Sequence, residues 1–186
     1  MASDKTEKIA IKGGCHCGYV HAAFVFTTQP CIPKQNTSPL STTNPQSSFI
    51  TYTAHVSLTP EGTLSATRCN CSFCQRLGAT NLSLASAADF TLHTPSSRSE
   101  LGDYAPRVKT VHRYFCRTCG AHVWMEGEYP LGGGKMMPVC AVNLGTVDVP
   151  LPGGVDLRRT EMRYYDMLHD NVAGGAKEGP WEDGLI

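Results

Sequence analysis

Apolar and polar positions in this chain alternate over short stretches and seldom recur every three or four residues, which predicts strands and few helices. Ile9-Ala10-Ile11 leads into a Gly13-Gly14 break, and Tyr19 to Phe26 carries β-branched and aromatic residues at strand-like positions. The intervening Gly14-Cys15-His16-Cys17-Gly18 therefore reads as the tight turn of a hairpin. Phe49 to Leu58 predicts a strand closed by a Pro60-Glu61-Gly62 turn, and Asn81 to Leu84 and Asp89 to His93 alternate in the strand sense. Further strands are predicted over Val108 to Phe115, His122 to Met125, Met136 to Val142 and Met162 to Tyr165, with one short helical turn over Cys74 to Gly78. No long amphipathic helix is visible, which disfavours helix bundles and doubly wound α/β folds and predicts a mainly β domain.

Two segments break this pattern. Residues 27–48 hold four prolines among Ser, Thr, Asn and Gln, and predict an exposed, flexible insert in the domain. Gly132-Gly133-Gly134-Lys135 resembles a phosphate loop only superficially, since Met136-Met137-Pro138 follows where Ser or Thr and a helix would be needed; a hairpin loop is the better account. The expected organisation is a flexible N-terminus over 1–10, one domain over 11–170 carrying the insert at 27–48, and a tail over 171–186.

Lys plus Arg and Asp plus Glu number 16 each, and no basic run could track a phosphate backbone, so neither nucleic acid nor an anionic membrane surface is an expected partner. The polar amino terminus and the lack of an 18-residue apolar run point to a cytoplasmic protein. In that reducing setting nine cysteines, odd in number and tightly clustered, argue for metal ligands over disulfides.

Seven of the nine sort into two groups. Cys15 and Cys17, with Cys116 and Cys119 of a Cys-x2-Cys-Gly knuckle, add up to the four thiolates of a closed structural zinc site. Cys69, Cys71 and Cys74 supply three thiolates within six residues and no nearby fourth, which suits a catalytic zinc with an open position. Because zinc is thiophilic, that position favours a small-molecule thiol or thiol adduct, and hence making or breaking a carbon–sulfur bond beside an electrophilic carbon. The rival arrangement closes the second site with Cys140, Cys31, His112 or His122 and leaves a zinc-stabilised binding module; a zinc enzyme acting on an imine or aldehyde is a further alternative. His16, His122 and Asp166 are candidates for proton transfer, with His169 beside Asp166, and Arg76 is a candidate for holding a substrate carboxylate. A homodimer through an open strand edge is compatible with the pattern.

Gly14-Cys15-His16-Cys17-Gly18, Cys69-Asn70-Cys71-Ser72-Phe73-Cys74-Gln75-Arg76 and Phe115-Cys116-Arg117-Thr118-Cys119-Gly120 together resemble the glutathione-dependent formaldehyde-activating enzymes and their centromere-protein-V-like relatives, over roughly residues 11 to 168. The resemblance implies a β-tent fold of packed antiparallel sheets stapled by zinc. It implies two zinc ions per chain, a structural one on Cys15, Cys17, Cys116 and Cys119 and a catalytic one on Cys69, Cys71 and Cys74. It also implies a zinc-dependent carbon–sulfur lyase acting on a glutathione thiohemiacetal or thioether.

Overall fold

A computed structural model describes residues 7–17, 49–106, 109–169, 171 and 174–181 of the chain. Its strands are β1 (Lys8–Gly14), β2 (Thr51–Ser57), β3 (Ser65–Cys69), β4 (Asn81–Ser83), β5 (Phe90–Thr94) and β6 (Gly102–Tyr104), followed by β7 (Val111–Phe115), β8 (His122–Gly132), β9 (Lys135–Asn143), β10 (Glu161–Tyr165) and β11 (Ala176–Lys177). One short helix, α1 (Ser72–Leu77), follows β3. The mainly β expectation is met. The predicted strand over Tyr19 to Phe26, the insert at 27–48 and Cys31 lie outside the described residues.

Two sheets form: a three-stranded one in the order β1-β2-β5, and an eight-stranded one in the order β11-β10-β3-β4-β9-β8-β7-β6. The second is mixed, because β10 runs parallel to β3 while its other pairings are antiparallel. A purely antiparallel arrangement is thereby corrected: a chain returning some ninety residues after β3 meets it with Tyr165 level with Cys69.

The sheets meet on an aromatic stack. Trp124 of β8 lies 4.6 Å from Phe90 of β5 and 4.4 Å from Tyr114 of β7, ring centre to ring centre, and Phe90 also meets Tyr52 of β2 at 5.4 Å. Ile11, Ile50, Leu64, Leu82, Val123 and Val142 are fully buried around these rings. Alternation drives this layering most plainly in Thr51–Ser57, where Tyr52, Ala54 and Val56 are buried, while strands in the middle of the large sheet bury consecutive residues such as Val123 and Trp124.

Candidate functional site

The thiol trio sits where β3 ends and α1 begins. The Cys71 Sγ caps the helix by accepting the Cys74 backbone N–H at 3.4 Å, and the Cys69 Sγ accepts the Cys71 N–H at 3.3 Å. The helix stops after two turns because Gly78 adopts a left-handed conformation at φ 59° and returns its N–H to Cys74 and Gln75 carbonyls. So tight a strand–cap–helix path aims all three sulfurs inward, within 4.8 Å of one another.

Asn70, between the first two sulfurs and 2 % exposed, fixes the loop from beneath. Its Nδ2 donates to Asp166 Oδ1 at 2.7 Å, its Oδ1 accepts from the Leu168 N–H at 2.8 Å, and its own N–H reaches the Tyr165 carbonyl at 3.3 Å. Asp166, read from the sequence as a proton-transfer candidate, is thus a loop anchor. Hydrogen bonds from Asn70 and then from His169 hold its carboxyl below the usual range.

Within the trio the sulfurs share protons. Hydrogen bonds from Cys69 and Cys74 hold the Cys71 thiol far below its ordinary value, while the same contacts push Cys69 up to about 12 and raise Cys74 further. The three thiols are therefore coupled, and their titration belongs to the group and not to any one sulfur.

Beside it lies a cluster of which the sequence singled out only His122. Phe73, in the loop of the trio, has its ring under the Arg113 guanidinium at 4.7 Å, stacks on Tyr104 at 5.4 Å and meets the His122 ring edge-on at 5.9 Å. Arg113 of β7, 5 % exposed, donates Nη2 to the Tyr129 hydroxyl of β8 at 2.7 Å. Burial raises the Tyr129 phenol, against the lowering effect of the Arg113 charge and hydrogen bond. Arg113 Nε and both ring nitrogens of His122 are enclosed without a hydrogen-bond partner, an arrangement that costs about 1–3 kcal/mol per group. The only sequence signal was alternation: an arginine at a buried position between Val111 and Phe115 is out of place unless it has work to do.

His122 carries a test of its own. Burial, assisted by the Arg113 charge, lowers its imidazole from 6.5 to about 4, so the folded chain refuses a proton that the unfolded chain accepts. Its contribution is fully present above pH 6.5 and is lost as the pH falls through the interval down to about 4. About 3 kcal/mol is the upper scale of that loss at 1.36 kcal/mol per pH unit. Urea unfolding of the wild type and of His122→Phe at pH 7 and pH 4.5 should show the wild type losing stability relative to the variant; parallel losses would count against a buried neutral imidazole.

The other sequence candidates fall elsewhere. Arg76 is exposed and donates Nη1 to the Ser72 carbonyl of its own helix at 3.0 Å. His16 is exposed between Cys15 and Cys17. His112 pairs with Asp103 at 2.7 Å and, with Cys140, lines a separate cavity of about 400 Å³ between Leu84 and Pro138; adjacent strand positions face opposite ways, so His112 turns from the side that Arg113 occupies. Burial pushes the Cys140 thiol up to about 11, as suits a small core residue. Among the described residues neither His112, Cys140 nor His122 joins the trio as a fourth close ligand.

Cys15, Cys17, Cys116 and Cys119 also converge within 4.8 Å. Cys15 follows β1 and its Sγ accepts the Ile50 N–H at 3.1 Å, whereas Cys116 and Cys119 flank the β7–β8 turn, where Gly120 at φ 74° sends its N–H back to the Cys116 carbonyl. The cluster links the small sheet to the large one. Both cysteine groups are donor sets that could hold a metal ion.

A crystal structure of a Rhodobacter sphaeroides protein, solved as a structural-genomics target, aligns with 78 % of this chain and 97 % of its own at 22 % identity and a TM-score of 0.46. No curated protein matches the chain. Residues 49–162 match the family described as glutathione-dependent formaldehyde-activating enzyme, a stretch that includes the trio, Arg113, His122 and Tyr129. This match corrects the expected activity. The family is described by dependence on glutathione and activation of formaldehyde, which replaces a zinc-dependent carbon–sulfur lyase. Two zinc ions per chain are withdrawn as cofactors with it, since the description names glutathione and the sulfur clusters establish donor geometry alone. More than half of the sequence lies within that match, and the chain belongs to the glutathione-dependent formaldehyde-activating enzyme family.

Proposed function

We propose that this protein promotes addition of the glutathione thiol to formaldehyde, giving S-hydroxymethylglutathione, at Cys69, Cys71 and Cys74. The observation that carries the reading is the convergence of three sulfurs within 4.8 Å of one another inside the matched stretch, beside Arg113 and Tyr129. An incoming S–H joins a network that already delocalises one negative charge, so its proton has acceptors and its sulfur is held next to the aldehyde carbon. Fixing two reactants in this way replaces the entropy cost of their encounter, which is the main lever for an uncomplicated addition.

Cys15, Cys17, Cys116 and Cys119 serve in this reading as the tie between the sheets, and Asp166 as the anchor of Asn70. Residues 11–170 are taken as the working domain, with a β-tent as its finer architecture. Since no described helix is long and apolar enough to cross a membrane, and the chemistry needs free thiols, a reducing cytoplasmic setting fits the reading. Pairing of two copies along an open sheet edge belongs to the proposal too, and light scattering at two concentrations checks it.

The decisive test is exchange NMR of formaldehyde with glutathione, with and without the protein. Accelerated appearance of the hydroxymethyl adduct is expected with glutathione, and much weaker acceleration with a small thiol such as cysteamine. Equal rates with and without protein would end the proposal.

A further inference from the structure

We infer that Arg113 and His122 form the subsite for the aldehyde oxygen, covered by the Phe73 ring until substrate arrives. This rests on the reading of the thiol trio as the place of addition and names the groups that meet the second reactant.

Three observations lead there. Arg113 and His122 present buried nitrogens with no partner: the Nε–H of the guanidinium and, on the neutral imidazole, one N–H and one lone-pair nitrogen. Native structures seldom leave such donors unpaired unless something is meant to occupy them. Both lie against one movable group, Phe73, at 4.7 Å for Arg113 and 5.9 Å for His122. Phe73 stands in the chain between Cys71 and Cys74, is only half-buried, and rides on a helix of six residues, so a turn about its side-chain torsion opens the donors to the space beside the sulfurs.

Thiol addition needs donors at that place. The sulfur lone pair forms the S–C bond, the carbonyl π pair moves to oxygen, and the oxygen gains the proton that the thiol lost, carried by solvent; nothing is oxidised or reduced. Negative charge therefore grows on oxygen as the bond forms. Preorganised N–H donors at such a position are among the strongest contributions an active site makes. A positive guanidinium flanked by a neutral imidazole suits an alkoxide, and the Tyr129 hydroxyl holds the guanidinium in place through Nη2.

Two measurements on the full chain test this. His122→Phe removes the donor and an unpaired buried polar group together, so unfolding stability at pH 7 should be unchanged or raised. Meanwhile kcat should fall about 10²-fold, as for loss of one oxyanion donor, with the KM for glutathione unchanged. Preserved kcat in a folded His122→Phe protein, with the wild type active, would overturn the subsite and leave the thiol-addition reading standing. Independently of turnover, formate, a small planar oxygen anion, is titrated into ¹⁵N-labelled wild type. Saturable shifts of the Arg113 Nε–H and His122 ring signals, lost for Arg113 in Phe73→Trp where the cover is enlarged, support the subsite even if no rate acceleration is found. Unmoved signals would overturn it.

Discussion

Cys71→Ser is expected to keep the fold and to abolish most of the glutathione-dependent rate. Serine is one of the best helix N-caps, so its hydroxyl can take over acceptance of the Cys74 N–H that the sulfur now performs at 3.4 Å, and stability should shift by less than about 1 kcal/mol. A hydroxyl does not ionise at neutral pH, however. The hydrogen bonds from Cys69 and Cys74 that now favour a charge at position 71 would have no anion to stabilise. With the shared charge gone, a thiol proton loses its acceptor, and a general-base contribution of about 10²–10⁴-fold goes with it. The rate of hydroxymethyl adduct formation, measured by exchange NMR beside a urea unfolding curve, separates the two effects. A folded Cys71→Ser protein with the wild-type rate would show that addition takes place elsewhere.

Most of the strand pattern was legible because it depends on local alternation. Phe49 to Leu58 is such a case: Tyr52, Ala54 and Val56 fall on the buried side of Thr51–Ser57 as period-two spacing requires. The Gly132 to Lys135 hairpin was legible too, since Gly133 and Gly134 take positive φ at the β8–β9 turn. β3 was not foreseen. Ser65-Ala66-Thr67-Arg68-Cys69 carries a single fully buried residue, and it is a strand because β4 and β10 pair on either side of it. The second of those pairings is a non-local parallel one that no window of sequence contains. β8 was read as ending at Met125 but runs to Gly132, through Gly127 and Pro130, residues that normally interrupt strands. Gly127 is needed there, at φ 141°, because a side chain would collide with the Thr110 carbonyl just before the neighbouring strand β7.

The site divides the same way. Cysteine spacing placed Cys69, Cys71 and Cys74 together, and ligand counting placed Cys15 and Cys17 with Cys116 and Cys119, because such clusters are written in short motifs. The surroundings are tertiary. Arg113 and Tyr129 meet only because β7 and β8 pair, and Asp166 finds Asn70 only because β10 returns beside β3. His122 was a candidate for its neighbours in sequence, yet what distinguishes it is enclosure without a partner, a property of the packed chain. The specific activity was misjudged for a related reason: soft-ligand spacing describes donors, whereas what those donors act on depends on the groups that stand opposite them.

What stands opposite them is held by the aromatic stack, and Trp124→Ala should reveal how much. Trp124 is fully buried and bridges the sheets through Phe90 at 4.6 Å and Tyr114 at 4.4 Å. Truncating so large a core ring costs about 3–5 kcal/mol, because the cavity closes only in part, and offset aromatic pairs add roughly 0.5–1.5 kcal/mol each. Against a total stability of about 5–15 kcal/mol for a typical domain, that leaves the variant near its unfolding threshold at 25 °C. Trp124→Phe should be far milder, since it keeps an aromatic face between the partners and removes an indole N–H that has no hydrogen-bond partner. Position 124 also sits two residues along β8 from His122 and level with Tyr114, the neighbour of Arg113, so a relaxed stack would let both oxygen-subsite donors drift. Urea unfolding midpoints for wild type, Trp124→Phe and Trp124→Ala, read by far-ultraviolet circular dichroism, should fall in that order, with the formaldehyde KM rising before the fold is lost. An alanine variant within about 1 kcal/mol of wild type would mean that the sheets are joined chiefly by the four-cysteine cluster and not by the aromatic core.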